Sequence, residues 1–284
     1  MTQIAAVSLQ DLTQHLRGRA TPMASAEVIS ELQASGLRLE DPSAGATARQ
    51  GGAGPTDHKA VRVDGRTVMV PVHSSTARAS PFFARAPDAR GVSVLERDGL
   101  AIARIEFPMQ PRFAALQTFD GVPYGHIAQL HGRDVLATTV LQTCIRYGRR
   151  STSCQFCAIG ESLKAGRTIN RKTPEQLGEV ARAAVLLDGV KHMVMTTGTP
   201  NFTDRGAAIL CESAFGVKAA TLDHFAADGA RRGLPIQAQC EPPDDARWYQ
   251  RLKDAGVDSL GMHLEAVTPA VRQRIMPGKA SVSI

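Results

Sequence analysis

Three cysteines near the middle of the chain, Cys144, Cys154 and Cys157, are spaced C-x9-C-x2-C, with the aromatic Phe156 directly before the last. Thiolates are soft ligands suited to iron–sulfur clusters and zinc. Seven basic residues crowd the same stretch (Arg146, Arg149, Arg150, Lys164, Arg167, Arg171 and Lys172) against one acid, Glu161. Three thiolates on one loop can hold three corners of a [4Fe–4S] cubane and leave the fourth iron open for chemistry. A positive loop suits such a group, which is anionic when three thiolates ligate it. A structural zinc site would call for four N or S ligands, usually as two close pairs. One close pair is present here, and no histidine lies between residues 132 and 191. A redox dithiol would use Cys154 and Cys157 alone and give Cys144 no part.

The elements that must position these residues follow a regular pattern after Gly132. Val135–Leu141 is a continuous apolar and β-branched run, as expected of a strand buried on both faces. Thr173, Pro174 and Gln176 supply an N-cap, a first-turn proline and a capping-box partner for a helix that Gly189 ends. His192–Thr197 is expected as the second strand, and a long helical region from Asp204 to about Arg232, broken near Gly216, follows it. Pro235–Glu241 reads as the third strand, Asp245 to Ala255 as a helix, and Val257–Glu265 as the fourth strand. Thr268-Pro269 opens a last helix that stops near Pro277-Gly278. Alternation of this kind predicts a parallel sheet with right-handed crossovers, whose chemistry collects at the C-terminal strand ends. Those ends are Thr143-Cys144, Thr196-Thr197-Gly198, Cys240-Glu241 and His263 to Glu265, all polar or metal-capable.

Residues 1–130 read as a separate α+β domain. Ser8 with Asp11 opens one helix, and a second runs from about Ser25 to Gln33 before Gly36. The stretch Pro42–Pro55 is rich in Gly, Ala and Ser and reads as a loop. Asp64-Gly65 and Asp98-Gly99 each join two short β runs and are strong hairpin signals. Pro108 to Phe113 reads as an ordinary connection.

With 284 residues, 43% hydrophobic and 21% charged, the composition is that of a globular protein with a real core. The first twenty residues carry no apolar block of the secretory kind, and no run is long enough to span a membrane. Five cysteines, an odd number, then point to a reducing compartment and a cytoplasmic address. The net charge of +6 is modest, with no basic tail and few aromatics to stack bases. A nucleic-acid partner is therefore not favoured, and neither is a membrane. Cys211 and Cys240 read as small buried hydrophobes, while His263 shares a strand face with Glu265.

A cysteine triad ending in C-x-aromatic-C, directly after the first strand of a β/α unit, resembles the radical S-adenosylmethionine (radical SAM) superfamily. Its usual triad is C-x3-C-x2-C; the longer first interval here is shared by some members. Gly261-Met262-His263-Leu264-Glu265, with Arg274 to Lys279 after it, looks like the corresponding part of biotin and lipoyl synthases. A bacterial group encoded near nitrilases is the narrower likeness. The resemblance implies an incomplete (β/α) barrel over residues 131–284, with about four of the usual six β/α units and an accessory domain before it. On that count the chain is expected to be truncated or its barrel unusually short. Cys144, Cys154 and Cys157 are implied as ligands of a [4Fe–4S] cluster whose open iron chelates S-adenosylmethionine. An electron donor such as flavodoxin or ferredoxin reduces the cluster, the carbon–sulfur bond breaks, and a 5′-deoxyadenosyl radical takes hydrogen from a substrate, expected to be a small molecule. Thr196, Thr197 and Gly198 would receive the amino group, Phe156 would lie near the adenine, and Glu265 would meet the ribose or methionyl part. Glu241 is a further candidate for the cofactor or substrate. Two alternatives stay open at this point: a tRNA-modifying member of the superfamily, and a non-catalytic iron–sulfur or zinc redox sensor.

Overall fold

Two Asp-Gly dipeptides set the geometry of the first part of the protein. The computed structural model describes residues 25–41, 58–108, 110–227, 230–262 and 265–282. The helix expected at Ser8, the Pro42–Pro55 stretch, Met109 and His263 lie outside these residues. In both dipeptides each residue is left-handed, with φ of 50° and 76° at Asp64-Gly65 and of 50° and 82° at Asp98-Gly99. That is what the tight hairpin turn demands, since its twist matches that of the flanking strands.

The elements of this first unit are α1 (Ser25–Ser35), β1 (Arg38–Leu39), β2 (His58–Val63), β3 (Arg66–Pro71), α2 (Ser75–Arg78), β4 (Phe82–Ala84), β5 (Val92–Arg97) and β6 (Leu100–Glu106). They form one mixed sheet in the order β1-β4-β5-β6-β2-β3. Strand β2 alternates half-buried and buried residues along its length, so one face turns inward. Val61, Val63, Leu95 and Ile105 pack there with Val28 and Leu32 of α1.

From Gln110 onward the chain belongs to the second compact unit, well before the change of sequence pattern near residue 130. A 3₁₀ turn at Arg112–Ala115 buries Phe113 completely, and the backbone N–H groups of Arg112 and Phe113 donate to the Asp188 carboxylate at 2.8 and 2.9 Å. After it come α3 (Tyr124–Ile127), β7 (Gln129–His131), β8 (Val135–Thr139), α4 (Ile159–Lys164), α5 (Pro174–Asp188), β9 (His192–Thr196), α6 (Ala207–Thr221), β10 (Ala226–Ala227), β11 (Ala230–Arg231), β12 (Ile236–Cys240), α7 (Arg247–Asp254), β13 (Ser259–Met262) and α8 (Pro269–Ile275). The main sheet has the order β13-β12-β9-β8-β7. Its β8, β9, β12 and β13 are parallel and joined by helical crossovers, which fits a partial (β/α) barrel. Strand β7 pairs antiparallel with β8 across a turn at Gly132, an addition that the sequence pattern did not announce.

Helix α5 starts as its sequence requires. Thr173 accepts from the Gln176 N–H at 3.2 Å, Gln176 accepts from the Thr173 N–H at 3.0 Å, and Gly189 closes the helix at φ 67°. Leu177, Val180, Ala181 and Ala184 face the core with Leu136, Met193, Met195 and Ile236. Helix α6 differs from expectation. It runs unbroken through Gly216, ends at Thr221, and gives way to a 3₁₀ turn (Leu222–His224) and the short β10–β11 pair rather than continuing to Arg232.

Gly216 serves close packing instead of a break. A Cβ there would stand 2.5 Å from the Pro174 carbonyl oxygen, and one at Gly178 would stand 3.0 Å from the Gly216 carbonyl oxygen. The two glycines let α5 and α6 approach with backbone against backbone. Gly216→Ala is therefore expected to destabilise the protein by roughly 1–3 kcal/mol through overpacking, despite alanine's better helix propensity. Thermal unfolding would read this as a lowered Tm.

Candidate functional site

The parallel register sets the strand ends side by side. Thr139 of β8 and Gln239 of β12 both align with Thr196 of β9, and Cys240 aligns with Met262 of β13. At this end Thr139 and Thr196 share a hydroxyl hydrogen bond of 3.0 Å. Beyond the strands the chains stay stitched: the Gly198 N–H donates to the Leu141 carbonyl at 2.9 Å, and the Ile145 N–H to that of Thr199 at 2.9 Å. The approach is closest at Gly198, where a Cβ would fall 2.0 Å from the Thr143 carbonyl oxygen. Thr143 and Ile145 flank Cys144 directly. Gly198→Ala must push the cysteine loop away from β9, at an expected cost of roughly 1–3 kcal/mol, measurable by denaturant unfolding.

The loop after β8 turns back through Tyr147, carries Cys154 and Cys157, and enters α4. The three cysteines are free thiols, Cys154 buried and Cys144 and Cys157 half-buried. Burial pushes the Cys154 thiol up to about 11; the charges of Cys157, Cys144 and Glu241 act in the same direction, and Lys279 acts against them. Burial also raises Cys157, opposed by the Ile159 N–H that its sulfur accepts and by Lys279, and reinforced by Cys144 and Glu265. All three sulfurs thus lie within each other's electrostatic reach. Among the described residues, no three His, Cys, Asp or Glu side chains are gathered as a single metal ion requires. A cubane takes one thiolate per iron, so its ligands need not converge on one point. Three thiols within electrostatic reach of one another, two of them also within reach of a cation, fit such a cluster.

The loop is held from below by a buried lysine. Lys172 is 1% exposed and donates to the Thr168 hydroxyl at 2.7 Å, the Ile169 carbonyl at 3.1 Å and the Gln142 side-chain oxygen at 3.4 Å. Gln142 in turn donates from Nε2 to the Ile159 carbonyl at 2.8 Å.

From the side the loop is held by a buried ion pair. Arg146 grips Glu241 with two hydrogen bonds, Nε to Oε1 at 3.1 Å and Nη2 to Oε2 at 2.8 Å. The guanidinium also donates to the Gly278 carbonyl and stacks 5.3 Å from the Phe202 ring. Thr199 donates to Glu241 Oε1 at 2.7 Å, and Lys279 Nζ stands 3.9 Å from the same oxygen. Burial pushes the Glu241 carboxyl up, but the Arg146 and Thr199 hydrogen bonds and the Lys279 charge outweigh it and hold it below its ordinary value.

Several candidate residues have definite surroundings. Phe156 is half exposed at 50%, and Thr196 and Thr197 are half-buried. The Thr197 hydroxyl donates to its neighbour's carbonyl at 2.8 Å, and its methyl fills the space a Cβ on Gly206 would need. Glu265 is exposed in a left-handed conformation at φ 60°. Glu241 is 5% exposed, with both oxygens engaged by protein. Burial raises Cys240 to about 12 and Cys211 to about 11.

Four of the seven basic residues of the loop have partners of their own. Arg146 is committed to Glu241, Lys164 to Glu161 at 2.8 Å and Arg171 to Glu212 at 3.2 Å, and Lys172 is held among oxygens. The cation acting on both Cys154 and Cys157 comes from farther along the chain, from Lys279. Arg146, Thr199 and Lys279 were not distinguished by spacing. The one available signal was Arg146's place two residues after Cys144, with Glu241 at a strand end.

With the geometry described, comparison with known families places residues 149–283 under the family model described as the radical SAM superfamily. No curated protein and no solved structure matches the chain. No helix among the described residues is long and apolar enough to cross a membrane.

Proposed function

The chain belongs to the radical SAM superfamily, and on that premise we propose that it is an enzyme in which Cys144, Cys154 and Cys157 hold a [4Fe–4S] cluster beside bound S-adenosylmethionine. One observation carries this reading: three mutually interacting thiols lie on the loop that leaves β8, next to the polar ends of the neighbouring parallel strands. When bound, the cluster supplies a low-potential electron that cleaves S-adenosylmethionine to a 5′-deoxyadenosyl radical able to take hydrogen from a substrate.

The protein's own residues have distinct parts. The three cysteines ligate. Thr196, Thr197 and Gly198 offer the hydroxyls and close backbone that suit an amino group, Phe156 supplies an exposed ring for a base, and Glu265 an exposed carboxylate. Glu241 acts indirectly, because its carboxylate is spent on Arg146 and Thr199 and so orients the loop that bears Cys144. A core like that of biotin and lipoyl synthases, a small-molecule substrate, an electron donor such as flavodoxin or ferredoxin and a cytoplasmic address complete the reading.

Anaerobic reconstitution tests it. The chain is expected to take up about four irons and four sulfides and, with reductant, to release 5′-deoxyadenosine from S-adenosylmethionine. One tightly bound zinc per chain with no cleavage would overturn the proposal.

A further inference from the structure

The last described segment runs back across the cysteine loop. The Gln155 N–H donates to the Ile275 carbonyl at 2.8 Å, and its side-chain amide to the Arg274 carbonyl at 2.7 Å. The Gly278 N–H donates to the Thr152 carbonyl at 3.2 Å, while Arg146 donates to the Gly278 carbonyl. A Cβ on Gly278 would lie 2.3 Å from the Thr152 oxygen, so the two backbones meet too closely for a side chain. Arg272, 8% exposed, donates from Nη2 to the carbonyls of Lys279 at 3.1 Å and Val282 at 2.7 Å. Residues 272–279 are thus a strap fixed to both sides of Cys154, and Arg272 pins the backbone of Lys279.

Charge is what the strap brings. Arg146 and Glu241 form a matched pair and cancel. The Lys279 side chain, 17% exposed, adds a further positive charge 3.9 Å from Glu241 and within electrostatic reach of two thiols. A partly buried charge is screened far less than one in open solvent. On the reading that the cysteines hold a cluster, we infer that Lys279, positioned by Arg272, is the electrostatic partner of the group bound by Cys154 and Cys157, and that its charge sets how readily that group accepts an electron. The step is a one-electron transfer from an external low-potential donor. No bond forms or breaks in it, and the bound group becomes one unit more negative. A fixed cation favours the reduced form.

The test is a potentiometric titration of reconstituted protein, followed by electron paramagnetic resonance of the reduced cluster. K279M is expected to hold as much iron and sulfide as the parent chain and to have a more negative midpoint potential. K279R should restore the parent value, and K279E should fall below K279M. K279Q supplies the same comparison if K279M does not load. R272M should move the midpoint in the direction of K279M by a smaller amount, since it loosens the lysine without removing it. A fully loaded K279M or K279Q with the parent midpoint would overturn this inference and leave the cluster assignment standing. A parent chain that takes up no iron would overturn the assignment itself, and the inference with it.

Discussion

C154A and C157A chains, reconstituted anaerobically beside the parent protein, are expected to retain almost no iron or sulfide and to release no 5′-deoxyadenosine. C144A should behave in the same way. Each iron that binds protein needs its own thiolate, and the remaining cysteines, Cys211 on α6 and Cys240 at the end of β12, lie on other elements than the loop that carries the three. Loss of one ligand from three leaves two anchors for a group that is also exposed at its open corner. The effect should be confined to the cluster. Cys144 and Cys157 are half-buried, and their replacement by alanine removes little packing, so urea midpoints of the unloaded variants should stay near that of the parent. A C144A chain with full iron would show that the first ligand lies elsewhere.

The second large effect concerns stability. E241A should cost roughly 3–5 kcal/mol, because it leaves the buried Arg146 guanidinium without its carboxylate, and R146A should cost less, because Lys279 stays 3.9 Å from Glu241 and Thr199 still donates to it. The side chains of Arg146 and Glu241 are 10% and 4% exposed, so solvent cannot repair the loss. R146M/E241M removes both charges and is expected to recover much of the stability, since a matched apolar pair needs no desolvation. Urea unfolding of the four chains gives the comparison directly. The pair also has a pH signature. The folded Glu241 carboxyl lies below its ordinary value of 4.5, so its contribution is complete above that value and is lost as pH falls through the lower, folded one. Stability measured on the acid side of about pH 4 should fall less steeply in E241Q than in the parent chain.

How far the sequence led depended on whether the signal was local. The capping box at Thr173 and Gln176, the left-handed Gly189 and the two Asp-Gly hairpins are decided within a few residues, and each formed where its pattern required. The four parallel strands were equally legible, as apolar runs between helical periods. Helix α6 was misjudged because glycine is ambiguous along the chain. Gly216 looks like a breaker until Pro174 of another helix is seen against it. Strand β7 was missed because three residues carry too little alternation to declare a strand.

The candidate site divides along the same line. The cysteines announce themselves by spacing, whereas the groups around them meet only in space. Arg146 and Glu241 stand 95 residues apart in the chain, and nothing in the composition of either neighbourhood pairs them. Lys279 resembles any surface lysine until the strap is traced back to Thr152 and Gln155.

That strap has a consequence for the order of events during synthesis. The contact between Arg146 and Gly278 spans 132 residues. Contacts of such separation close late, because the entropy of the intervening loop must be overcome first. A ribosome must therefore release the chain past Lys279 before the cysteine loop can be clasped. Until then the loop lacks the strap's contacts at Thr152 and Gln155, on either side of Cys154. On the proposed reading, loading of the thiols would compete with closure of the strap formed by residues 272–279.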